Sequence, residues 1–168
     1  MEEGSALNKR VKIIKRSFDP SLEMLQGVVD NCPEDLWFDD SIGFPFWQQI
    51  WHVLFFVDVW LREDYTRGVP YRVFEKDLPE DLAKRSDDHL TQAEAREYLA
   101  RLKDKTERFF SQLDDDKLLA PIVEGRPNTY LDTILGQIRH IQYHVGHSNC
   151  LLKSREADTS RWVAFNEG

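Results

Sequence analysis

The chain is short of the features that mark secreted, membrane-spanning or nucleic-acid-binding proteins. Two cysteines, Cys32 and Cys150, in 168 residues make no disulfide framework, so a reduced compartment is the simpler assumption. Basic charge is in deficit: 22 Lys and Arg stand against 30 Asp and Glu, for a formal charge of −8. Phosphate-backbone binding needs the opposite balance, so no nucleic-acid partner is expected. The one basic cluster, Lys9, Arg10, Lys12, Lys15 and Arg16, reads as a solvated helix face. Long apolar runs are missing too. The longest, around Trp51 to Leu61, is interrupted by His52 and Asp58 and is too short to cross a bilayer. The opening MEEGSALNKR is acidic and has no apolar core, unlike a signal peptide. The expectation is a soluble, cytoplasmic protein with no membrane partner. A Gly-x-Ser-x-Gly elbow and a glycine-rich phosphate loop are absent, as are repeats, low-complexity stretches and an interdomain linker.

What is present is enough to build a core. With 41% hydrophobic and 12% aromatic residues, the chain is expected to fold as one domain over residues 1–168. Four segments carry helical periodicity, and no pair of alternating runs flanks a tight turn, so the fold class is all-α. The first helix is expected over Asn8 to Asp30, with a kink or restart at Asp19 and Pro20. Pro33 ends it, and loop follows to Gly43. The second starts near Pro45 and reaches about Asp64. It is apolar on nearly every side, which places it inside a core. From Thr66 to Leu90, Gly68, Pro70 and Pro79 mark a long connection, with a short helix near Pro79 to Lys84. Thr91 and Glu94 form a capping box that opens a third helix running to Leu113. Asp114 to Pro127 reads as loop with a solvated acidic triplet. Asn128 is expected to cap a fourth helix that ends near Arg155, and the tail through Trp162 and Phe165 to fold back. The pattern is that of a four-helix bundle with a long crossover between its second and third helices.

Three of the five histidines fall within eight residues: His140, His144 and His147. At 100° per residue they share one helix face, with neighbours about 5–6 Å apart at Cβ. Two imidazoles at that spacing can converge on one ion. Gly136 and Gly146 beside them suggest close approach of another helix or a ligand. His52 lies between Trp51 and Val53 in the most apolar helix. There it either hydrogen-bonds within the core or completes a metal site with His140 and His144. Gln48, one turn before His52, and Gln137, about one turn before His140, are placed to line the site or support its rings; both also suit a polar gap in a bundle. His89 reads as exposed, and Cys150 lies off the histidine face. The histidine helix has no Glu-x-x-His, which argues for one metal rather than two.

The segments CPEDLWF, QIWHVLFFVDVWL, LTQAEAREYLARL and TILGQIRHIQYHVGHSNCLLKSRE resemble the DinB-like metal-binding four-helix bundles over most of the chain, HIQYHVGH being the most specific part. The resemblance implies an up-up-down-down bundle, often a homodimer, with metal ligands at His52, His140 and His144. The position of His147 is often glutamine in that family. Here the histidine would replace a ligand, add a fourth or line the mouth of the site, and lining is favoured. One divalent ion is implied, zinc or nickel first, then iron or manganese. Characterised relatives act with low-molecular-weight thiols such as bacillithiol or mycothiol. The expected function is therefore a metal-dependent thiol transferase or hydrolase acting on a thiol or other small molecule. The alternative is a non-catalytic metal- or ligand-binding protein of stress-response type.

Overall fold

The structure is a computed structural model that describes residues 9–62, 64–65 and 74–164. Among these, six helices are present: α1 (Lys9–Asn31), α2 (Glu34–Trp37), α3 (Phe46–Trp60), α4 (Gln92–Ser111), α5 (Asp115–Leu119) and α6 (Tyr130–Ser154). Four long helices, α1, α3, α4 and α6, form the bundle, and α2 and α5 are single turns in the connections. No helix among the described residues is long and apolar enough to cross a membrane.

Side-chain pairs fix the directions of the helices. Lys15 meets Glu107 and Asp30 meets Arg96, so α1 and α4 run antiparallel. Gln49 meets Ser148, and the His52 ring lies against both His144 and His140, so α3 and α6 also run antiparallel. Asp58 receives Lys105, and Trp51 packs on Tyr98, so α3 and α4 are parallel. The bundle is therefore up-down-down-up, not the up-up-down-down arrangement that the family resemblance implies. A parallel neighbour cannot be reached by a tight turn, so a long connection between α3 and α4 follows from the helix directions.

That crossover is fastened to the core. The indole N–H groups of Trp51 and Trp37 donate to the carbonyls of Leu78 (2.9 Å) and Leu90 (2.7 Å). The Gln48 amide donates to the carbonyls of Asp81 and Lys84. Lys76 pairs with Glu94 at 2.6 Å. The expected short helix at Pro79 to Lys84 is a turn, closed by the Lys84 amide on the Asp81 carbonyl. Gly68 and Pro70 lie outside the described residues.

Several expected boundaries shift for local reasons. α1 runs without a break through Pro20, which is buried along with Ser21 and Leu22. Burial on the inner face offsets the amide hydrogen bond that proline cannot make. α2 interrupts the expected loop before Gly43. α3 stops at Trp60 rather than Asp64, where the Tyr65 hydroxyl takes the freed Trp60 carbonyl. Asp114 to Asp116 are not simply solvated. Asp114 caps α5 through the Lys117 amide, and Asp115 accepts from the amides of Arg10 and Val11 at the start of α1. α6 is capped by Thr129, whose box with Asp132 satisfies two free amides at once; Asn128 is not the cap. The Thr91–Glu94 box of α4 forms as expected.

One continuous core holds the elements together, with Phe18, Leu25, Ile50, Trp51, Leu54, Leu99 and Phe110 almost wholly buried. The tail returns over α1 and α6. Ser160 is buried, its amide bonds Asn149 at 2.8 Å, and a Cβ on Gly27 would meet its hydroxyl at 2.6 Å. A side chain at position 27 would therefore force Ser160 to shift. Trp162 nevertheless remains 75% exposed, and Phe165 lies outside the described residues.

Candidate metal centre

α3 is apolar around most of its circumference, but one strip faces the outer groove between α3 and α6. His52 is on that strip and is partly exposed. Across the groove, one face of α6 carries Gln137, His140 and His144 at helical spacing. The antiparallel seam therefore brings the three rings together. Their centroids lie 5.1 Å (His52–His140), 5.0 Å (His52–His144) and 4.9 Å (His140–His144) apart. One nitrogen from each ring lies within 4.8 Å of the others, which positions the group to bind a metal ion.

The state of each nitrogen follows from its partners. His52 Nδ1 is 2.7 Å from the Glu80 carbonyl, which can only accept, so Nδ1 carries a hydrogen and Nε2 is the nitrogen available to a ligand. The Nδ1 atoms of His140 and His144 are buried and have no hydrogen-bond partner. Burial, and then the neighbouring His52, push the His140 pKa down to about 4. Burial, followed by His140, His52 and His147, pushes His144 down to about 3. Both rings are thus neutral near pH 7, the form in which a histidine ligates a metal. Buried ring nitrogens without partners are rare in folded proteins. Three converging imidazoles, two of them kept neutral by burial, fit a divalent metal ion.

The other expected residues do not all stand around this group. His147 is exposed and stays outside it. Its Nδ1 donates to Gln49 Oε1 at 2.5 Å, while the Gln49 amide donates to the Ser148 hydroxyl. The glutamine that reaches an α6 histidine is therefore Gln49, at His147. Gln48 instead holds the Asp81 and Lys84 carbonyls just after Glu80, so it fastens the stretch carrying the His52 acceptor. Gln137 is only 7% exposed, and its Oε1 is buried without a partner. Gly136 and Gly146 do not mark a helix contact, because a Cβ on either would meet no protein atom within 4 Å. Cys150 is exposed and Cys32 is buried; both are free thiols. His89 is exposed, as expected, with its ring against Phe38.

Two features escaped the sequence reading. The Glu80 carbonyl is a backbone group, which no residue pattern announces. The aromatic surround is the second: Phe56 packs at 4.8 Å from His52 and 5.8 Å from His140, and the exposed Tyr143 ring meets His144 at 5.1 Å. Their spacing was visible, Phe56 one turn after His52 and Tyr143 beside His144, but all-round apolarity hid which side of α3 is the outer one.

An all-α bundle with three histidines gathered across an antiparallel seam is the class of protein that fold and site define. A profile of the DinB superfamily matches residues 17–148, a span that includes all three histidines. The chain belongs to the DinB superfamily. No curated protein and no solved structure matches it.

Proposed function

We propose that His52, His140 and His144 hold one divalent metal ion, zinc or nickel before iron or manganese, and that the protein is a metal-dependent enzyme of thiol-transferase or hydrolase type. The observation that carries this reading is the gathering of one nitrogen from each of three rings within 4.8 Å of one another, two of those rings being held neutral by burial. Three protein nitrogens leave a coordination position for a small molecule, and an open position distinguishes catalytic from structural zinc sites. Bound there, such an ion supplies Lewis acidity, which polarises a carbonyl or lowers the pKa of a thiol or water.

The chain's own residues divide the remaining work. The Glu80 carbonyl orients His52, and Gln48 holds the backbone that carries it. Phe56 and Tyr143 make an apolar rim that limits water. Gln137, one turn before His140, keeps a buried amide oxygen without a partner on the helix that carries two of the rings. His52 and His140 are partly exposed, so a small molecule has a route to the group. That route favours an enzyme over a sealed structural site. The second reading, a binding protein without turnover, shares the metal and differs only in chemistry. A homodimer acting on a low-molecular-weight thiol is part of the proposal.

The deciding experiment is elemental analysis of untagged protein and of its His52→Ala and His144→Ala variants. One equivalent of metal in the parent and none in either variant supports the site; equal metal in all three sinks it. Thiol addition to an electrophile, assayed with and without chelator, then separates enzyme from binder. Sedimentation tests the homodimer.

A further inference from the structure

A second cleft lies beyond the end of α3, two turns past Phe56's neighbour His52, where Trp60 and Arg62 face the loop that leads into α6. It encloses about 300 Å³ and is lined by Trp60, Arg62, Tyr65, Ile122, Val123 and Arg126, with Asn128 at its edge. Trp60 is eight residues past His52, about 12 Å along the helix axis, so this cleft is separate from the histidine group.

Its chemistry is unusual for this chain. In a protein with 30 acidic residues, the cleft presents two guanidinium groups and no carboxylate among its described lining residues. Arg62 is held in place: one Nη donates to the Tyr65 carbonyl at 3.3 Å, and its guanidinium carbon lies 5.0 Å from the Tyr65 ring centroid. Its Nε–H is buried and has no acceptor. Arg126 stands across the cleft on an exposed loop. Trp60 (38% exposed), Ile122 and Val123 supply the apolar part of the cleft's lining.

We propose that this cleft is a ligand site for a small amphipathic organic anion, its carboxylate or phosphate head on Arg62 and Arg126 and its flat apolar body on Trp60. A planar fork such as Arg62 suits an oxyanion, and a mostly apolar cleft with a few convergent polar groups is the usual form of a small-molecule site. The proposal does not rest on the metal reading.

The test uses benzoate and phenyl phosphate as probes, read by the nitrogen-labelled indole signals of the full chain. Loss of a signal in Trp60→Phe assigns Trp60. Saturable movement of the Trp60 signal by either probe is expected, with little movement from benzyl alcohol (body without charge) or inorganic phosphate (charge without body). Arg126→Gln, on an exposed loop, should weaken binding about tenfold, and Arg62→Gln should abolish it. Binding should be unchanged in His144→Ala, which separates this site from the metal centre. Equal response to benzyl alcohol, equal response to inorganic phosphate, no response to either probe, or undiminished binding in Arg126→Gln would each overturn the proposal. If Arg62→Gln fails to fold, the Arg126→Gln arm still decides.

Discussion

The α1–α4 seam and the α3–α6 seam are both antiparallel helix pairs, yet they finish their polar groups differently. Between α1 and α4, cross-seam groups meet partners: Lys15 with Glu107 at 2.6 Å, Asp30 with Arg96 at 2.7 Å, and Gln92 with the carbonyls of Val29 and Cys32. Four buried side-chain nitrogen or oxygen atoms among the described residues lack a partner, and three of them, on Gln137, His140 and His144, sit on α6. A stability-driven seam would have replaced those groups with apolar ones or paired them, because each unpaired group costs about 1–3 kcal/mol. Stability is thus concentrated on one side of the bundle and unsatisfied chemistry on the other.

The largest effect should come from the unsatisfied side. A divalent ion at a hundredfold over its dissociation constant should stabilise the parent by about 2.7 kcal/mol, seen in calorimetry as a rise of roughly 5–10 °C for a domain this size. His144→Ala should abolish that rise; a rise that survives would place the ion elsewhere. Next comes the paired α3–α4 seam, where Asp58 receives Lys105 and the Tyr98 hydroxyl. Asp58→Ala should cost about 1–2 kcal/mol in urea unfolding, since Tyr98 loses its carboxylate acceptor and Lys105 keeps only the backbone carbonyl of residue 58, while metal stoichiometry stays at the parental value. Metal loss in that variant would show that the seams are not independent.

A smaller effect is expected at the start of α4. Thr91→Ala should cost about 1 kcal/mol by removing the cap. Burial disfavours the Glu94 charge, but the Lys76 ammonium and the Thr91 amide and hydroxyl outweigh it and hold this carboxyl below its usual range. A lowered folded pKa stabilises the fold above the unfolded value near 4.3, and that contribution disappears as pH falls through the folded value. The stability gap between the parent and Glu94→Gln should therefore close in acid; a gap constant with pH would refute this. The smallest change should be a gain. Gly146→Ala fills open space on α6 and should raise stability by roughly 0.5–1 kcal/mol, again by urea unfolding. A loss would mean something in solution occupies the space beside that glycine.

Much of this division was written in the sequence. His52, His140 and His144 were recognisable because helical spacing and an out-of-place polar ring are both local signals. The Thr91–Glu94 box and the long crossover were legible for the same reason. The α6 cap was misplaced by one residue because Asn128 and Thr129 are both good caps, and only Asp132 three residues on selects Thr129. Gln48 and Gln49 differ by 100° around α3, and an all-round apolar helix does not say which faces α6. Helix direction was beyond local pattern altogether, since up-down-down-up depends on which helices become neighbours.

The hydrogen bond from His52 to the Glu80 carbonyl joins a rigid helix to a long connecting strap. Any transient opening of that strap, on whatever timescale amide exchange detects it, frees the imidazole to spin and swap tautomers. The rate at which an ion escapes the centre would then be governed by breathing of the chain around residue 80, some sixty residues away in sequence from the other two rings.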